Sequence, residues 1–136
     1  MRVFLDANVL FSAAKSDGAV RAFLTCCHAA GHTLVADAYV IGEARRNLQS
    51  RGPQAVTALE ELLTTIETAP YRPTILPRNL AALLPEKDRP VMGAALRLHC
   101  DALVTGDRTH FGALYGSVRH GVAVHSPRSL ADALNG

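Results

Sequence analysis

The sequence predicts an α/β fold: a three-layer α/β/α sandwich around a central, mostly parallel sheet of four to five strands. Three observations carry that expectation. Apolar runs at residues 2–5 and 102–105 are continuous rather than alternating, as in strands covered on both faces. Segments with helical periodicity separate the strand candidates, the order expected of parallel strands joined by right-handed crossovers. At 136 residues the chain has room for one core and not two, so residues 1–136 form a single domain.

The elements follow in order. The first strand covers residues 2–5 and closes on Asp6, and a short helix over 9–15 ends at Ser16-Asp17-Gly18, which is turn chemistry. Residues 19–30 form a helix with Val20, Phe23, Leu24 and Cys27 on one stripe and Gly31 as its stop. The second strand is expected at 32–36. Asp37 caps a helix over 38–51 whose apolar stripe is Val40, Ile41, Ala44 and Leu48. Gly52-Pro53 ends it and starts a helix reaching Thr68, with Val56, Leu59, Leu63 and Ile66 inward. The proline-studded stretch 70–77 surrounds a short third strand at Thr74-Ile75-Leu76, followed by one or two helical turns over 79–84. Asp88 starts a helix over 89–99, the fourth strand is 102–105, and a short helix lies around 108–115. A last strand over 118–125, interrupted by Gly121, leads into a C-terminal helix from Ser126-Pro127 to Leu134.

Composition narrows the function classes. With 49% hydrophobic and 19% charged residues the chain is globular rather than disordered. With no membrane-length apolar run and no charged-then-apolar leader in the sequence, the expectation is a cytoplasmic protein with no membrane partner. Cys26, Cys27 and Cys100 are odd in number and lack a metal-ligand spacing, so they read as packed thiols. The net charge of +2 does not by itself imply nucleic acid, but 12 of the 14 basic residues are arginine, the side chain best shaped for phosphate. Serine-nucleophile, phosphate-loop, dinucleotide and zinc-helix motifs are absent, and aromatics, at 5%, form no RNA-stacking ribbon.

Four acids stand out. Asp6 and Asp107 each close an apolar strand, and open parallel sheets bind ligands outside the carboxyl ends of their strands. Asp6 is equally placed to cap the next helix. Asn8, two residues on, supplies an amide that could hold Asp6, or it is a turn residue. Glu43 lies on the flank of its helix stripe and reads either as a surface partner of Arg46 or as an inward acid at a cleft. Asp88 reads as a helix cap that could also point into a cleft. Before Asp107, Thr105-Gly106 turns the chain sharply, with glycine permitting close backbone approach. Asp17, Asp101, Asp132, Glu60, Glu61, Glu67 and Glu86 read as solvated charges. Carboxylates gathered in one cleft repel each other and any phosphate, so they make chemical sense around a divalent cation, which points to metal-dependent phosphodiester hydrolysis. Arg45, Arg46, Arg89 and Arg108 adjoin the acids in sequence and are candidates for phosphate contacts, as is His110 unless it is merely solvated.

With those residues placed, the chain resembles the PIN-domain ribonucleases and is similar in size to the VapC-type toxins of bacterial toxin–antitoxin pairs. The resemblance runs through Val3-Phe4-Leu5-Asp6-Ala7-Asn8-Val9-Leu10, Glu43, Lys87-Asp88-Arg89-Pro90 and Leu103-Val104-Thr105-Gly106-Asp107, then Phe111. It implies that Asp6, Glu43, Asp88 and Asp107 bind one or two Mg²⁺ or Mn²⁺ ions, supported by Asn8 and Thr105. It also implies an endoribonuclease acting on single-stranded or loop RNA, an antitoxin partner and a homodimer. Two positions depart from the family pattern. Ala7 replaces a frequent Thr or Ser, and Arg108-Thr109-His110 stands where many members carry a further acid at a second metal site. Two rival readings are an aspartate-dependent phosphatase and a non-catalytic PIN-like module binding RNA or protein. The first lacks a second acid where Asn8 stands; the second leaves four mutually repelling carboxylates without a use.

Overall fold

The structure is a computed structural model and describes residues 1–107 and 111–135, with the backbone alone at residue 113. In chain order its elements are β1 (Arg2–Leu5), α1 (Ala7–Lys15), α2 (Ala19–Ala29), β2 (Thr33–Asp37), α3 (Ala38–Leu48) and α4 (Pro53–Leu63). These are followed by β3 (Ile66–Ala69), α5 (Arg78–Ala81), α6 (Arg89–Arg97), β4 (Ala102–Val104), β5 (Val118–Arg119), β6 (Val122–His125) and α7 (Pro127–Asn135). Short 3₁₀ turns lie at Gln49–Arg51, Glu86–Asp88 and Gly112–Leu114.

Among the described residues six strands form one sheet in the order β3-β2-β1-β4-β6-β5, all parallel except the two-residue edge strand β5. This is the expected three-layer α/β architecture, with six strands instead of four to five because the last expected strand is split into β5 and β6. β1 sits at the centre, with Val3 opposite Leu34 on one side and Ala102 on the other. Val3, Phe4 and Leu5 are 0% exposed, which is why that run is apolar without alternation. Successive strands are added leftward from β1 to β3 and then rightward from β4, so the winding reverses between β1 and β4. That reversal is the topological switch point, the place where such sheets open a crevice.

Three expectations change. The fourth helix stops at Leu63 instead of running to Thr68, and the third strand is Ile66–Ala69, not residues 74–76. The hydroxyls of Thr64 and Thr65 donate back to the Glu61 and Leu62 carbonyls at 2.6 and 2.9 Å, ending the helix two residues before Ile66 enters the sheet. Ile75, expected in the strand, is 99% exposed. Residues 70–77 instead form a strap across α6. Arg97 Nη2 donates to the Pro70 carbonyl at 2.9 Å, and a Cβ at Gly93 would lie 3.1 Å from Thr74 Cβ, so α6 carries a glycine where the strap crosses. Finally, 118–125 is a hairpin rather than one interrupted strand. His120 and Gly121 both have positive φ, 51° and 85°, as a tight turn between antiparallel strands requires. The helix expected around 108–115 is described only from Phe111, which is helical with its N–H bonded to the Asp107 carbonyl at 3.0 Å, and a 3₁₀ turn follows at Gly112–Leu114. Among the described residues no helix is long and apolar enough to cross a membrane.

Candidate active site

The carboxyl ends of β1 and β4 open into a cleft of about 210 Å³ lined by Asp6, Asn8, Glu43, Asp88 and Asp107, with Ala7, Phe11, Tyr39, Asn47, Lys87 and Val91 completing its walls. All four acids therefore face one space although they come from four separate stretches of chain. A second hollow, about 190 Å³ between α2 and α4, has Glu61 as its one acid and no such set.

Asp6 leaves β1 with its N–H bonded to the Val104 carbonyl at 3.0 Å, which fixes it at the seam with β4. Its side chain both caps α1 and faces the cleft. Oδ1 accepts from the Ala7 N–H at 2.7 Å; Oδ2 accepts from the Thr105 hydroxyl at 2.8 Å and from Asn8 Nδ2 at 3.4 Å. Ala7, without a hydroxyl, thus contributes its backbone N–H. Asn8 ties the two strand ends together, because its Oδ1 accepts from the Gly106 N–H at 2.8 Å while Nδ2 reaches Thr105 Oγ1 at 3.3 Å. Thr105 is 0% exposed, and its Oγ1 also accepts from the Asp107 N–H at 3.1 Å. Tyr115 donates to the Thr105 carbonyl at 2.7 Å from the other side. Gly106 is not needed for room, since a Cβ there would make an ordinary 3.5 Å contact with Asn8; what the position supplies is its N–H.

Glu43 is half-buried on α3, on the face shared with Tyr39 and Asn47 at i−4 and i+4, all three in the cleft wall. Asp88 ends the 3₁₀ turn before α6, and its side chain makes no capping bond to that helix. The capping role suggested by its sequence is therefore not what the side chain does. The Tyr39 hydroxyl donates to the Lys87 carbonyl at 3.1 Å and so links α3 to that turn.

Electrostatics tie the acids together. Burial pushes the Asp6 carboxyl up to about 6, against the opposing hydrogen bonds from Thr105 and Ala7, and the charges of Glu43 and Asp88 add to the rise. Burial also raises the Tyr39 phenol, reinforced by Glu43, Asp88, Tyr71 and Asp6. The donor set, carboxylates with an amide oxygen close by, is that of a hard divalent cation, and the mutual repulsion is what such a cation would relieve. The residues present fit Mg²⁺ or Mn²⁺ in chemistry. Among the described residues no three potential ligands are drawn together into a ready-made cage, so a cation would have to gather side chains across the cleft.

The predicted phosphate contacts fare differently. Arg45 points to α4, where Nη2 and Nε bind Glu60 at 2.7 and 3.0 Å, and Arg89 donates to the Ala81 and Leu84 carbonyls at 3.1 and 3.2 Å. Neither lines the cleft. Arg46 is exposed on α3, and Arg108 and His110 lie outside the described residues. Lys87, missed in the sequence although it precedes Asp88, is the cation of the described cleft wall. Tyr39 and Asn47 were also missed; the signal was their four-residue spacing from Glu43.

Fold and site together define a class: an α/β protein with an acid-lined cleft at its sheet's switch point. Residues 2–109 match the PIN domain model, and the chain belongs to the PIN-domain family. No curated protein gives a significant match. Among solved structures, a chain of the VapBC2 complex from Rickettsia felis, bound to a DNA fragment from its promoter, superposes with a TM-score of 0.66 at 12% identity. The match covers 93% of this chain and 98% of that one, and at such identity it is a likeness of fold.

Proposed function

We propose that this cleft hydrolyses RNA phosphodiester bonds with Mg²⁺ or Mn²⁺, and that the protein is an endoribonuclease, the toxin of a type II toxin–antitoxin pair. The observation that carries the reading is the meeting of Asp6, Glu43, Asp88 and Asp107 in one cleft at the switch point. A divalent cation held by Asp6, Asp107 and Asp88, with Glu43 reaching across, would neutralise phosphate charge and acidify an attacking water, leaving a 5′-phosphate and a 3′-hydroxyl. Thr105 and Asn8 hold Asp6 Oδ2, and the Ala7 N–H holds Oδ1, so this carboxylate is oriented before any ligand arrives. Glu43 lines the cleft from α3, where it can orient water for in-line attack. Lys87 adds a positive charge at the rim for the RNA backbone. Asn8 is engaged with both strand ends, which supports a scaffold role rather than that of a second catalytic acid in a phosphatase. The toxin assignment and an antitoxin partner are supported by the likeness to a chain of VapBC2, and a homodimeric state belongs to the same proposal.

The test is cleavage of end-labelled RNA, an unstructured strand and pooled tRNA, with Mg²⁺, Mn²⁺ or EDTA. Cleavage by the wild type with metal, reduced about a hundred-fold or more in folded Asp6→Asn and Asp107→Asn proteins, is the expected result. Undiminished cleavage by folded Asp6→Asn protein would remove the reading.

A further inference from the structure

The strap over residues 70–77 exposes an aromatic ring beside the acid cleft. Tyr71 is 43% exposed, and its ring centroid lies 5.6 Å from that of Tyr39 at an interplanar angle of 33°. Tyr39 itself lines the cleft with Glu43 and Asp88. Tyr71 is therefore one ring outward from the cleft wall. It contributes little to the core, yet the strap that carries it is held firmly: Arg97 binds the Pro70 carbonyl, Thr74 sits against Gly93, and Tyr39 is anchored through Lys87. A half-exposed ring on a fixed backbone is preorganised for a flat ligand. Exposed Arg72 follows it directly in the chain, and Lys87 lines the cleft, so cations are available on the same stretch and in the same cleft for the RNA backbone.

We infer that Tyr71 is a base-stacking residue, which receives an unpaired nucleobase of the RNA strand whose phosphate lies in the acid cleft. Tyr71 lies against Tyr39, a residue of the cleft wall, so a strand with a phosphate in the cleft carries its neighbouring base past this ring. Stacking on a side chain requires a base free of its duplex partner, so this residue selects single-stranded or looped RNA over helices. The inference deepens the nuclease reading and rests on it.

The test is fluorescence anisotropy of a 5′-labelled single-stranded RNA, with Ca²⁺ replacing Mg²⁺ and strand integrity checked by gel. Wild type, Tyr71→Ala and Tyr71→Phe proteins are compared, with sedimentation and thermal melts of each. Tyr71→Ala should bind about five- to a hundred-fold more weakly, Tyr71→Phe within about two-fold of wild type, and the difference should vanish on a strand abasic at the stacked position. Equal binding by Tyr71→Ala, or an equal loss in Tyr71→Phe, overturns the inference. So does a change of oligomeric state in Tyr71→Ala with unaltered RNA affinity, which would make the ring a contact for a second copy. Cleavage with Mg²⁺ or Mn²⁺, run in parallel, separates the two ideas. Binding without cleavage counts against the nuclease, cleavage with no effect of Tyr71→Ala counts against stacking, and a wild type that does neither counts against both.

Discussion

Asp6 carries opposing demands: it accepts three hydrogen bonds, which favour its charge, and it sits 6% exposed beside other acids, which disfavours it. Burial wins, and the carboxyl titrates at about 6 instead of near its ordinary 3.8. An acid whose folded pKa is raised contributes stability that is complete below the unfolded value and lost as pH rises through the folded one. Metal-free protein should therefore lose stability on the order of 2 to 3 kcal/mol between about pH 4 and pH 6 from this group. Urea melts of wild type and Asp6→Asn protein in EDTA check this. The variant should be the more stable at pH 7 and lack that part of the slope; parallel pH profiles would contradict it. Thr105→Val removes the hydroxyl that donates to Asp6 and accepts from Asp107, and should cost about 1 to 3 kcal/mol in the same melts. At this scale Asp6 and Asp107 were legible because an acid closing an apolar strand is a local pattern. Glu43 and Asp88 were ambiguous because a surface pair or a cap has the same local sequence. Arg45 and Arg89 misled because what engages them, Glu60 for Arg45 and two carbonyls for Arg89, is set by tertiary packing.

The elements that misread are those whose pattern is neither helical nor strongly apolar. β3 is Ile66-Glu67-Thr68-Ala69, with one fully inward residue and Glu67 bonded to Arg2 at 2.7 Å, so it looked like the end of a helix. Thr74-Ile75-Leu76 is richer in strand formers, yet the prolines around it leave few N–H groups for a ladder. The strap has its own anchor in Arg97, which also stands 4.0 Å from the buried Asp37 carboxylate, raised above the usual range by burial and partly restrained by the Val40 N–H and by Arg97. Arg97→Met should lower stability by about 2 to 4 kcal/mol at neutral pH, because Asp37 then keeps its burial without its counter-charge. The loss should shrink as pH falls and Asp37 takes up a proton, and Asp37→Asn in the same background should recover part of it. Thermal melts at pH 5 and pH 7.5 check both; a loss independent of pH would contradict the role given to Asp37.

For the whole molecule, the alternation of strands and helices was enough to predict a parallel sheet with an acid-lined cleft at its carboxyl edge. Strand order was not legible, because only the folded chain shows β1 flanked by β2 and β4. That order puts Asp6 and Asp107, about a hundred residues apart in sequence, on adjacent strand ends, and the helices then bring Glu43 and Asp88 to the same cleft. A cation that binds this folded arrangement and not the unfolded chain must stabilise it, by about 2.7 kcal/mol at a hundred times its dissociation constant. Calorimetric titration of metal-free protein with Mn²⁺ tests the central claim most directly, alongside Asp6→Asn, Glu43→Gln, Asp88→Asn and Asp107→Asn proteins. The account predicts saturable binding by the wild type, weakened in each variant and accompanied by a higher melting temperature. No binding by the wild type, or binding indifferent to all four substitutions, would contradict it.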